Sequence, residues 1–226
     1  MMSGELRKKQ TIMWLINQPI SEIIAFAITA ILAFAYHEFA HAIVADRLGD
    51  PTPRDNGRIT LNPFPHLSVF GLIMLFLVGF GWAVTPVNPS LLRGNYRRSM
   101  AMVAIAGPLA NLAMAILWAL PIRLGFVEPG FAEIIPTPFQ ILWSGVRINL
   151  LLFAFNLIPI PPLDGFTILQ GIVPPDLAYQ LDALRQYGSF LLLGVLFLLP
   201  MIGINIIGTV VGQVSNLLLP VLTGMV

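Results

Sequence analysis

Four stretches of this chain, residues 20–48, 100–124, 139–160 and 189–211, are each long and apolar enough to cross a bilayer. A segment in hydrocarbon must satisfy all of its own backbone hydrogen bonds, so these stretches can only be helices or strands of a closed barrel. At roughly 20 residues each, they read as helices. Composition agrees, with 57% hydrophobic and 10% charged residues and a mean hydropathy of +0.83, values that exclude an ordinary soluble domain. A fifth apolar run, residues 67–84, is shorter and is interrupted by Gly71, Gly79 and Gly81. Beyond Pro200, the residues Gly203, Gly208, Gly212 and Pro220 leave open one long broken helix or two shorter passes. The expected fold is an all-α polytopic membrane protein of about 4–6 transmembrane helices. It is read as one domain over residues 1–226, with a core at 20–172 and a C-terminal helical segment at 188–222.

Net charge is +1, and no basic run is long enough to suggest nucleic acid. The chain has no cysteine, so disulfides and thiolate metal sites are excluded. Arg7, Lys8 and Lys9 form a basic patch near the start, but no small-residue cleavage site follows it. A removable signal peptide is not expected.

Inside the first apolar stretch lies His37-Glu38-Phe39-Ala40-His41, an HExxH motif. Residues four apart share a helix face, so both imidazoles can reach one Zn²⁺, with Glu38 beside them as a general base. The bland alternative is a polar helix face in an interhelical hydrogen-bond network. Three ionisable groups are costly in such a segment unless they are paired or bind something.

A catalytic zinc has three protein ligands and one open position, so a third ligand is sought. Asp164 stands out at the end of the third apolar stretch, after Pro159, Pro161 and Pro162. The prolines remove backbone donors and end the helix, leaving carbonyls that must be buried in protein or line a watery cavity. An Asp-Gly pair in an interfacial loop is common, and gains weight here from the proline run, Asn156 and the HExxH motif.

The chain resembles the site-2 protease family of intramembrane zinc metalloproteases, in the short form without a PDZ domain. The matching pieces are His37 to His41, Gly57-Arg58-Ile59-Thr60-Leu61-Asn62-Pro63, Gly107-Pro108-Leu109-Ala110-Asn111 and Asn156 through Gly165, in the family's order over roughly residues 30–170. The resemblance implies one Zn²⁺ held by His37, His41 and Asp164, with Glu38 as catalytic base and Asn156 near the scissile peptide. It also implies transmembrane proteins as substrates. One departure is Ser68, where short members of the family tend to carry an acid.

Topology can be argued separately. His37 and His41 lie in the C-terminal half of their stretch and Asp164 at the C-terminal end of its own. The two must therefore run in the same direction, with an odd number of crossings between them. Residues 100–124 supply one, so residues 67–84 are expected not to cross but to form a re-entrant segment or small membrane-associated β hairpin, with a short strand at Arg58–Leu61. The segment from Asp46 to Arg98 contains Arg47, Arg54, Arg58, Arg93, Arg97 and Arg98, whereas the next loop carries Glu128 and Glu133 and no base. That bias places the zinc end of a multi-pass cell-membrane protein toward the cytoplasm. Arg7, Lys8 and Lys9 argue the other way unless residues 5–18 form an interfacial helix.

Asn111 is a candidate substrate contact, although Gly107 and Asn111 also suit close helix packing with an interhelical hydrogen bond. Arg147 is a candidate functional group that could equally snorkel or pair with an acid. His66 is read as a loop hydrogen-bonder rather than a ligand. The expected partners are a transmembrane protein substrate and the lipid bilayer, with a homo-oligomer left open. The rival readings are a catalytically silent membrane scaffold and a small transporter or metal-binding membrane protein. The transporter needs a continuous polar path, and the polar residues read as gathered at one end.

Overall fold

A computed structural model describes residues 18–66 and 85–225. The expected interfacial helix at 5–18, Gln18 apart, and the expected non-crossing segment at 67–84 lie outside the described residues. The described chain is helical: α1 Ile20–Arg47, α2 Thr52–Asp55, α3 Tyr96–Arg123, α4 Pro138–Asn156, α5 Asp164–Ile172, α6 Pro175–Asp182, α7 Gly188–Leu193, α8 Leu199–Met201 and α9 Ile206–Thr223. Among the described residues, five helical stretches are long and apolar enough to cross a membrane: α1, α3, α4, the run Pro175–Met201 and α9. At 1.5 Å per residue, the 28 residues of α1 span about 42 Å, more than the hydrocarbon thickness of about 30 Å. Large apolar side chains such as Ile24, Ile28, Leu117, Leu120 and Phe190 point outward, as suits a chain solvated by lipid.

The helix ends follow from local chemistry. Gly49, at φ 108°, closes α1 in a left-handed turn that L side chains rarely adopt. Its N–H donates to the Asp46 carbonyl at 3.0 Å. Asn95 caps α3 by accepting from the Arg97 and Arg98 amides. Thr137 and Gln140 form a capping box at the start of α4.

The core is built around α3, which packs on α1, α4, α5 and α9. Small residues on α1, among them Ala30, Ala33, Ala42 and Ala45, are fully or almost fully buried and let its neighbours approach closely. Cross-helix bonds give the directions. Asn111 meets Ala33 and His37, while Val103 meets His41, so α1 and α3 are antiparallel. Gln140 meets Ser21 and Ser144 meets Thr29, so α1 and α4 run parallel. This is the arrangement required to bring the end of α4 to the depth of the HExxH motif.

Three expectations are corrected. Arg58–Leu61 is not a strand: after Gly57, at φ 66°, the chain passes through bends, and no strand occurs among the described residues. A lone strand without a partner would leave its ladder groups unpaired, and none of the described helices offers an edge. The fourth apolar stretch, taken as 189–211, straddles a break, because Gly203 at φ 88° and the Asn205 cap separate Pro175–Met201 from α9. The C-terminal region is thus two helices. Buried polar groups are also not confined to one end: Ser21 and Gln140 are 0% and 1% exposed at the far end, and Thr29 lies between. Hydrogen bonds to one another and to nearby carbonyls engage these groups.

Candidate metal centre

The His37 and His41 side chains leave one face of α1 and meet edge to face, with ring centroids 4.6 Å apart at 84°. Their Nε2 atoms are 3.0 Å apart. After α4, the turn through Leu157–Leu163 delivers Asp164 to the first position of α5. Its Oδ2 lies 3.1 Å from His37 Nε2 and 3.4 Å from His41 Nε2. Gly165 makes that turn feasible, since a Cβ there would run into the Leu157 and Ile158 carbonyl oxygens.

The other ring nitrogens define the donor set. His41 Nδ1 lies 2.7 Å from the Val103 carbonyl, and His37 Nδ1 lies 2.6 Å from Asn111 Oδ1. A carbonyl oxygen only accepts, so both Nδ1 atoms carry the proton and both Nε2 atoms present a lone pair. Asp164 Oδ2 is buried without a hydrogen-bond partner. Two imidazole nitrogens and a carboxylate oxygen therefore face one another with no hydrogen between them, an arrangement that a divalent cation relieves.

The dimensions fit zinc. Ligands 2.0–2.1 Å from a tetrahedral ion lie about 3.3–3.4 Å apart. The three separations here are 3.0, 3.1 and 3.4 Å. His37, His41 and Asp164 form the metal-capable group found among the described residues. The Asp164 side chain keeps 19% of its surface exposed, against 7% and 10% for the two histidines.

Glu38 is 5% exposed and stands next to the cluster on α1. Its Oε2 accepts a 2.6 Å hydrogen bond from the Thr85 hydroxyl, which also lies 3.1 Å from the Glu38 carbonyl. Sequence reasoning missed Thr85, which lies 47 residues downstream in no motif. Gly107 has a sharper role than helix packing alone. A Cβ there would sit 2.5 Å from His41 Nε2 and 2.6 Å from His37 Nε2, inside the cradle of lone pairs.

The remaining candidates separate. Asn111 is wholly buried, and its amide is engaged by His37, Ala33 and Asn149. Asn156 ends α4 half-buried, with Nδ2 donating to its own helix at Leu152 O, 3.1 Å away. Arg147 is exposed on α4. His66 is a loop hydrogen-bonder, its Nε2 donating to Thr60 O at 2.8 Å. Asn149 is a further residue that sequence reasoning missed.

Several curated proteins are similar to this chain. "Putative zinc metalloprotease YwhC" of Bacillus subtilis is 38% identical over 186 residues, covering 81% of this chain and 84% of that protein. "Putative zinc metalloprotease Rip2" of Mycolicibacterium smegmatis is 31% identical over 196 residues, covering 81% and 71%. "Putative zinc metalloprotease MJ0611" of Methanocaldococcus jannaschii is 28% identical over 169 residues, covering 70% and 78%. No family model and no solved structure matches the chain.

Proposed function

We propose that this chain, which belongs to the zinc metalloprotease family represented by YwhC, is an intramembrane endopeptidase of the site-2 protease type. It holds one zinc ion and hydrolyses peptide bonds within or beside the transmembrane helices of other membrane proteins. The observation that carries this reading is the convergence of His37, His41 and Asp164 donor atoms within 4.8 Å of one another. Glu38 stands beside them, and His37, Glu38 and His41 are all buried on α1, a helix apolar enough to span a membrane.

A zinc ion held there by His37, His41 and Asp164 would supply a Lewis acid that lowers the pKa of its water toward about 7. Glu38 takes a proton from the attacking water and returns it to the leaving amine. Thr85 donates to Oε2 and so orients the Glu38 carboxylate for that transfer. Asn156, with Nδ2 tied to Leu152 O, offers its other amide atoms to the substrate backbone near the scissile bond. A substrate helix must unwind before its peptide groups can reach such a site, so transmembrane segments containing Gly are cut more readily than uniform Leu segments.

The cell membrane is the expected location, with the metal end toward the cytoplasm. Arg47, Arg93, Arg97 and Arg98 cluster where α1 ends and α3 begins, and His41 is six residues from the end of α1. The loop joining α3 to α4 carries Glu128 and Glu133 instead, the bias expected of an outward-facing loop.

The test is incubation of the purified protein in detergent with a Gly-containing transmembrane peptide, mapping products by mass spectrometry. Cuts within the apolar segment that stop on zinc chelation and resume on zinc addition support the reading. Absence of cleavage, or indifference to chelation, opposes it. A second expectation concerns Thr85. Thr85→Val is expected to slow cleavage by about tenfold to a hundredfold, the scale of one charge-assisted hydrogen bond. Zinc content stays unchanged, and Thr85→Ser restores the rate.

A further inference from the structure

We propose that Asn111 and Asn149 are positioning residues, forming a one-way hydrogen-bond relay that holds His37 in the tautomer able to bind metal. The proposal rests on the zinc-site reading above, but it concerns residues outside the metal's own ligands.

The relay has a fixed direction. Asn149 Nδ2 donates to the Gly145 carbonyl at 2.8 Å, which turns Asn149 Oδ1 toward α3. Asn111 Nδ2 donates to that Oδ1 at 2.9 Å and to the Ala33 carbonyl at 3.2 Å. Asn111 must therefore show Oδ1, and not Nδ2, to His37, whose Nδ1 lies 2.6 Å away. The two ends of an Asn amide are nearly identical in shape, so packing alone cannot choose between them. Two backbone carbonyls make the choice, because Gly145 O and Ala33 O can only accept. Every bond in the chain then points from His37 toward Gly145, and His37 Nε2 is left bare.

Burial enforces this order. Asn111 and Asn149 are 0% and 1% exposed, so water cannot repair a mismatched bond at either residue. His41 needs no relay, since its Nδ1 meets a backbone carbonyl at Val103 directly. His37 faces α3 where Gly107 removes the side chain, and the relay supplies one turn further along the acceptor that the backbone does not provide there. An Asn111 amide turned the other way would donate to Nδ1 and place a hydrogen on Nε2, inside the cluster. The relay also spans α1, α3 and α4, tying the metal site to the helix packing that forms it.

The experiment measures zinc affinity by chelator competition on detergent-purified wild-type protein, Asn111→Leu, Asn111→Asp and Asn149→Leu. The nitrogen NMR shifts of labelled histidine are read in parallel, and three histidines in the chain keep that spectrum simple. Asn111→Leu keeps the volume and removes the acceptor, and should weaken zinc binding about 10- to 100-fold. Asn111→Asp keeps an acceptor for His37 Nδ1 and should retain most of the affinity. Asn149→Leu should fall between them, with a His37 signal no longer held in the Nδ1-protonated form. A role in packing alone predicts the opposite order, because a buried carboxylate disturbs an apolar bundle more than Leu does. That opposite order, or wild-type affinity in Asn111→Leu, overturns the relay while leaving the protease reading intact. Wild-type protein that binds no zinc overturns the protease reading itself. If Asn111→Leu does not fold, Asn149→Leu carries the test through its affinity and its His37 shift, and wild-type values for both refute the relay.

Discussion

Glu38→Gln is expected to bind zinc as the wild-type protein does and to lose peptide hydrolysis by a factor of about 10²–10⁴, the range that a positioned general base contributes. Glutamine matches the shape of glutamate and can still accept from the Thr85 hydroxyl, so the surroundings of the site are preserved. It cannot take a proton from water at neutral pH. Among the described residues the metal-capable group is His37, His41 and Asp164, without Glu38, which is why zinc content and catalysis should separate. Initial rates on a transmembrane peptide, with metal analysis of the same preparation, make the check. Undiminished cleavage would remove Glu38 from the chemistry. Lost zinc would instead make it a ligand.

Gly107→Ala is expected to abolish zinc binding, although on helix propensity alone the substitution favours α3 by about 1 kcal/mol. The methyl group would lie 2.5–2.6 Å from both Nε2 atoms and from His37 Cε1, too close for any ordinary contact. The clash has no easy relief. α3 is held to α1 by the Asn111 and Val103 bonds, and to the end of α5 by Arg97, which donates to the Gln170 and Val173 carbonyls. The imidazoles must therefore turn away or the metal must leave. Metal analysis checks the first consequence and a thermal melt the second. Near-normal helicity with little zinc is the expected pair, whereas full zinc occupancy would show that α3 can retreat.

Local patterns carried much of this structure and long-range ones less. HExxH is a spacing statement about one helix, so His37, Glu38 and His41 were legible at once. Asp164 could be reached because three prolines in four residues end a helix whatever its surroundings, and the required direction of the spans then set its depth. Gly107 and Asn111 were visible as a packing pair on α3. Their relation to the histidines was not, because it depends on how deeply α3 nests against α1. Thr85 and Asn149 carried no signal: one is a lone hydroxyl between two of the motifs, the other an ordinary polar residue in an apolar span. The strand expected at Arg58–Leu61 failed for a related reason. β-branched residues favour extended backbone only where a partner edge exists, and none is found among the described residues. The C-terminal helices were misdivided because hydropathy runs smoothly through Gly203, where the backbone turns left-handed.

The central claim, that His37, His41 and Asp164 hold a hydrolytic zinc, is tested most directly by zinc-edge X-ray absorption on the purified wild-type protein. The account predicts one zinc per chain, with imidazole nitrogen and carboxylate or water oxygen at about 2.0–2.1 Å and no sulfur. Protein without stoichiometric zinc, or a zinc whose first shell lacks imidazole, would contradict it.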